Sequence, residues 1–173
     1  RDNRDEDSPP TTYVDRAPLL GMIAELIEPG ADVNARTREV PPSRRWLYSL
    51  GDVSWVDFTG QTPFLRAALS GDIAAMRLLL EHGADPNLAT QAGTTALMAA
   101  SGVNWVVAQT FTESPQSLLE AIELCLNRGA DVNAQERSGQ TALMWASAEG
   151  HVEVVEALIA AGAKIDLELS SGC

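Results

Sequence analysis

Cysteine and histidine are scarce in this chain, with two of each in 173 residues. Cys125 and Cys173 alone cannot form the disulfide framework of a small secreted scaffold. His82 and His151 have no nucleophile or ligand set patterned around them, so neither reads as catalytic or metal-binding. Basic residues are also few: 12 Lys and Arg face 24 Asp and Glu, a formal net charge of −12. That balance argues against nucleic acid or an anionic membrane as the main partner, because phosphate binding is driven by Lys and Arg. Long apolar runs are missing too, and nothing nears the roughly 20 residues that span a bilayer. There is no phosphate-binding Gly loop, no zinc spacing and no Gly-x-Ser-x-Gly elbow. The expectation is a chain with no catalytic residue, no metal and no cofactor.

What the sequence does contain is repetition. Gly-Ala-Asp-Val-Asn occurs at Gly30–Asn34 and again at Gly129–Asn133, with Gly-Ala-Asp-Pro-Asn at Gly83–Asn87 and Gly-Ala-Lys-Ile-Asp at Gly162–Asp166. The four leading glycines are 53, 46 and 33 residues apart. A second marker, Gly-Gln/Thr-Thr-Pro/Ala-Phe/Leu, starts at Gly60, Gly93 and Gly139. It lies 23 residues before the punctuation in two units and 36 in the middle one, and Gly60 and Gly93 are again 33 apart. The base period is therefore 33, with one insertion of 20 residues and another of 13.

Each unit reads as two short helices and a turn. Thr62, Thr95 and Thr141 stand where an N-cap hydroxyl would accept an orphan backbone N–H. Pro63 follows Thr62 at the first helical position, where its missing N–H costs nothing. The second helix carries an apolar stripe at steps of three and four. Ile73, Met76, Leu79 and Leu80 align with Leu119, Ile122, Cys125 and Leu126, and with Val152, Val155, Ile159 and Ala160. In the first unit the stripe is Leu20, Ile23, Ile27 and Glu28. The recurring Gly then closes the helix in the left-handed conformation, and the Asp after it accepts backbone N–H bonds in the turn. Asn34, Asn87 and Asn133 read as structural, through side-chain bonds in the same turns. Cys125 reads as a small buried hydrophobe.

Gly-Gln-Thr-Pro-Phe-Leu-Arg-Ala-Ala running through Leu-Leu-Leu-Glu-His-Gly-Ala-Asp-Pro-Asn resembles the ankyrin repeat, and the likeness covers nearly all of Pro18 to Asp166 outside the insertions. It implies an all-α ankyrin-repeat solenoid of about three complete repeats and a partial first one, with hairpin-like turns projecting from one edge. Residues 1–17 form an N-terminal extension or a degenerate first helix. Residues 18–173 form the repeat domain, with insertions at about 36–59 and 103–116. The His that the family usually carries after Thr-Pro-Leu is Leu65, Met98 and Met144 here, so apolar contact stands in for its hydrogen bond. The chain opens on Arg1 rather than Met, and so reads as a processed or trimmed piece whose compartment stays open. Lys164–Leu169 reads as the start of a further unit.

The resemblance also implies a protein partner, bound through the turn edge, the concave face and the insertions. The alternative is a permanent non-catalytic subunit of a larger complex. The insertions hold six of the nine aromatics, and the first holds Arg36, Arg38, Arg44 and Arg45, a third of the basic residues. Trp55, Phe58 and Trp105 read as cover for apolar surface. Arg44, Arg45, Trp46 and Tyr48 combine aromatic and positive character in an acidic chain, and they are the candidate partner-binding residues.

Overall fold

Thr62, Thr95 and Thr141 each start a helix in the same way. Each takes extended φ and ψ, and its Oγ1 accepts the N–H of the residue three places on, from Leu65 at 3.2 Å, Met98 at 3.2 Å and Met144 at 3.3 Å. These caps belong to a computed structural model that describes residues 17–38, 59–102 and 115–169. The N-terminal extension and most of both insertions lie outside the described residues.

Seven helices occupy those residues in the order α1 (Ala17–Ile27), α2 (Pro63–Leu69), α3 (Ile73–Glu81), α4 (Ala96–Ala100), α5 (Pro115–Asn127), α6 (Ala142–Glu149) and α7 (Val152–Ala160). No strand occurs among the described residues. The helices form two rows. The first helices α2, α4 and α6 pack side by side, and so do the second helices α1, α3, α5 and α7. Within units, α2 packs on α3, α4 on α5 and α6 on α7. This is an all-α solenoid, in which each unit buries its apolar face only against its neighbours.

Small residues make the first row tight. Ala96, Ala99, Ala100, Ala142 and Ala146 are buried between adjacent helices. Leu65 and Met98, which replace the family's His, are buried, and Met144 is half-buried. Between units 1 and 2, Leu20, Ile23 and Ile27 of α1 pack on the core.

The stripe of α7 differs from its expected register. Leu158 is fully buried and Ile159 is 49% exposed. Leu158 lies four residues before Gly162, as Leu79 and Cys125 lie four before Gly83 and Gly129. It is therefore Leu158, not Ile159, that matches Cys125. Val152 is 62% exposed and Ala160 is exposed as well. The reason is position in the stack. α7 is the last helix among the described residues, and no described unit covers Val152 and Ile159, whereas Val154 and Leu158 lie in the shared core. Glu28 lies just beyond α1 and is exposed, so it is no part of that stripe.

Candidate partner-binding face

The turns between units form projecting fingers, each closed at its stem by two backbone bonds. In one, Thr90 N–H donates to Thr94 O and Gly93 N–H to Thr90 O, with Gln91 and Ala92 at the tip. In the next, Glu136 N–H donates to Gln140 O and Gly139 N–H to Glu136 O, with Arg137 and Ser138 at the tip. The first finger has the same stem: Thr37 N–H donates to Gln61 O, and Gly60 N–H to Thr37 O. Its stem, however, brackets residues 38–59 of the sequence where its sisters bracket two, a surplus of 20 residues. Neighbouring fingers are bonded to each other. Gln91 N–H donates to Thr59 O and Arg137 N–H to Ala92 O, both at 2.8 Å.

The finger bases are held by the acid and amide that the sequence singles out. Asp32, Asp85 and Asp131 each accept the N–H of the Asn two residues on at 2.9 Å. Asn34 then reaches the next unit: its Nδ2 donates to Gly83 O at 3.2 Å and its Oδ1 accepts Asp85 N–H at 2.8 Å. Asn133 does the same with Gly162 O and Lys164 N–H, at the same distances. The bracket to Lys164 aligns the segment after α7 with the preceding finger, where Gln135 Nε2 also donates to Glu168 O at 3.1 Å.

Charge is divided between the two rows. The second row carries Glu25, Glu81, Glu120, Glu123, Glu153 and Glu156. The first row carries Arg66 and has no carboxylate before Glu149, the last residue of α6. One second-row cation, Arg77, is paired with Glu120. At the fingers, Arg36, Arg38 and Arg137 are exposed.

Of the sequence candidates, Arg44, Arg45, Trp46 and Tyr48 lie outside the described residues, as do Trp55, Phe58, Trp105 and Phe111. What the structure places is the stem that carries the first four. His82 is exposed and His151 half-buried. Among the described residues no group of His, Cys, Asp or Glu is arranged to hold a metal, and no helix is long and apolar enough to cross a membrane. Sequence reading missed two residues of the first row, Arg66 and Trp145. Their signal was available: both stand six places after a marker glycine, where α4 has Ala99.

A family model for ankyrin repeats (3 copies) matches residues 40–109, and a second one for ankyrin repeats (many copies) matches residues 117–159. The chain belongs to the ankyrin-repeat family. The two matches together span more than half of it. No curated protein matches the chain. Ankyrin repeats are in general protein-interaction modules and are typically non-enzymatic. The α1 unit falls outside both matched ranges, yet α1 packs on α3 and Asn34 brackets Gly83 as ankyrin neighbours do.

Proposed function

We propose that this ankyrin-repeat chain is a protein-interaction module that recognises its partner through the first insertion, with Arg44, Arg45, Trp46 and Tyr48, and the adjoining finger edge. The observation that carries this reading is the stem of the first finger. Thr37 is bonded to Gly60 and Gln61, so the chain leaves and re-enters the finger at one closed stem, as in the fingers that carry no surplus. The insertion's composition is therefore free to serve a partner. Arg36 and Arg38 on the same finger extend the positive edge of a chain with net charge −12.

The test is the double substitution Arg44→Ala/Trp46→Ala, with affinity capture compared against the intact chain and against a chain lacking the insertion. Lost capture at unchanged thermal stability supports the reading. A sharp drop in melting temperature with capture retained shows the insertion to be a structural cover. A second reading, a permanently built-in subunit, is favoured by the exposed apolar residues Val152, Ile159, Ile165 and Leu169 at the last unit. It requires the chain to be insoluble or aggregated when expressed alone, because an obligate interface is apolar.

A further inference from the structure

Counted from the glycine that closes each second helix, Met22 and Leu26 of α1 take the positions of Ala75 and Leu79 in α3, Ala121 and Cys125 in α5, and Val154 and Leu158 in α7. The sister residues are all buried, at 6% exposure or less, whereas Met22 is 59% and Leu26 64% exposed. Leu19 is 53% exposed and completes a stripe at steps of three and four on one face of α1. The other stripe, Leu20, Ile23 and Ile27, packs on the core. α1 is thus apolar on two sides, with Glu25 as its one charged residue, which is the pattern of a helix enclosed by others. Its sisters are enclosed: α2 packs on α3, α4 on α5 and α6 on α7. No described first helix precedes α1.

The residues upstream of α1 do not have the composition of such a cover. The buried residues of α2 are Phe64, Leu65, Ala67, Ala68 and Leu69. The residues 53 places earlier in the sequence are Thr11, Thr12, Val14, Asp15 and Arg16, so two hydroxyls and two charges replace four apolar side chains. α1 is also helical from Ala17 to Leu19, where α2 and α3 are joined by the turn at Ser70 and Gly71. A second copy of the chain is no better matched. The other exposed large apolar residues, Val152, Ile159, Ile165 and Leu169, lie on the last unit, and α7 carries the exposed Glu153 and Glu156. The α1 face is bordered by the exposed Glu25, Glu28 and Asp32, with no Lys or Arg between Ala17 and Ala35. Like charges oppose that pairing.

We infer that the Leu19, Met22 and Leu26 face of α1 receives a basic amphipathic helix from a protein partner, which takes the place that first helices hold in the other units. This surface is separate from the one assigned to the first insertion and does not depend on it. The partner helix lays its apolar stripe on the three side chains. Lys or Arg on its flanks meets Glu25, Glu28 and Asp32, which have no cation of their own stretch of chain to compete. Met22, where the sisters hold Ala, Ala and Val, brings a flexible thioether that adapts to the shape of a partner. Leu19 stands where α3 and α7 have the polar N-caps Asp72 and His151, so the apolar face of α1 is one turn longer than theirs. All three side chains are already exposed, and binding requires no opening of the fold.

The probe is a fluorescein-labelled octadecapeptide of Leu, Ala and Lys with its leucines on one helical stripe. The controls are a scrambled peptide of the same composition and a striped peptide with Glu for Lys. Binding is read by anisotropy, and by the ¹H–¹³C methyl signal of Met22, assigned by its loss in Met22→Leu. The striped Lys peptide is expected to bind the full chain at least about tenfold tighter than either control, and Met22→Gln/Leu26→Gln to weaken it by at least about tenfold at unchanged melting temperature. The Met22 methyl signal is expected to move on titration, and Arg44→Ala/Trp46→Ala to leave peptide binding as it was. Equal binding of the striped and scrambled peptides, an unmoved methyl signal, or undiminished binding by Met22→Gln/Leu26→Gln overturns the assignment. Binding lost in Arg44→Ala/Trp46→Ala puts the peptide on the insertion and overturns it too, while leaving the interaction reading standing. A Met22 signal that moves in Tyr13→Asp/Val14→Asp before any peptide is added makes residues 1–16 the cover, and one that moves on dilution, with a matching change in sedimentation, makes it a second copy; either result sinks the partner helix. If a variant fails to fold, the methyl shift in the unaltered chain decides.

Discussion

A Cβ placed on Gly93 would lie 3.1 Å from the Cα of Glu136. Gly93 sits at the stem of one finger and Glu136 in the next, so the backbone of one finger is the wall of the other. Gly93 also has a φ of +90°, a conformation that only glycine adopts without cost. Gly129 has a similar φ of +79°, but a Cβ there would meet nothing within 4 Å. Gly93→Ala is therefore expected to destabilise by about 2 kcal/mol or more, and Gly129→Ala by about 1 kcal/mol from strain alone. Gly129→Val should cost more than Gly129→Ala, because a β-branched residue is worse in this region. Urea unfolding of the three variants checks the order. Equal costs for the two alanines would mean that the fingers do not wall one another.

Asn34 and Asn133 each make two bonds across a unit boundary, whereas the equivalent Asn87 side chain bonds to neither Gly129 nor Asp131. Asn34→Ala and Asn133→Ala are expected to cost about 1–2 kcal/mol each, because they strand a carbonyl and an N–H of the next unit. Asn87→Ala should stay within about 0.5 kcal/mol, as surface changes do. Chemical denaturation of the three single variants distinguishes them, and a uniform effect would contradict the broken series of brackets.

Leu158 and Ile159 are chain neighbours with opposite surroundings. Leu158→Ala is expected to destabilise by about 2–5 kcal/mol, through lost burial and the cavity left behind. Ile159→Ala, on the uncovered face, should cost less than about 1 kcal/mol. The reverse order in thermal melts would restore the register read from the sequence.

Cys125 is buried in α5, and burial pushes its thiol from an ordinary 9.0 up to about 12. At neutral pH it is a thiol without nucleophilic character. On a Cys173→Ser background it is expected to resist a disulfide reagent until the chain unfolds. Because the folded pKa is the higher one, folding favours the protonated form. The associated stability is complete below about pH 9 and is lost as pH rises through about 12. Melting temperature should fall more steeply with pH across that window in the parent than in Cys125→Ala. Rapid labelling at pH 7, or parallel pH profiles, would refute the burial of this residue.

The sequence by itself determined the repeat. Caps, helix lengths, glycine stops and Asp–Asn turns depend on bonds within a few residues, so a 33-residue period shows them directly, as at Thr62, Thr95 and Thr141. The location of the 20-residue surplus was legible for the same reason, since the stems on either side of it are local markers. Tertiary structure decided what periodicity cannot encode. Val152 and Ile73 hold the same stripe position, but Ile73 packs on the core and Val152 is 62% exposed, because burial depends on whether another unit stands on that side. Asn87 follows an Asp by two residues just as Asn34 does, but it lacks the cross-unit bonds, which need the next turn at hydrogen-bond distance. Arg66 and Trp145 are 79 residues apart in the chain. They share one row only because α2, α4 and α6 stack, and stacking is a relation between units that no single unit carries.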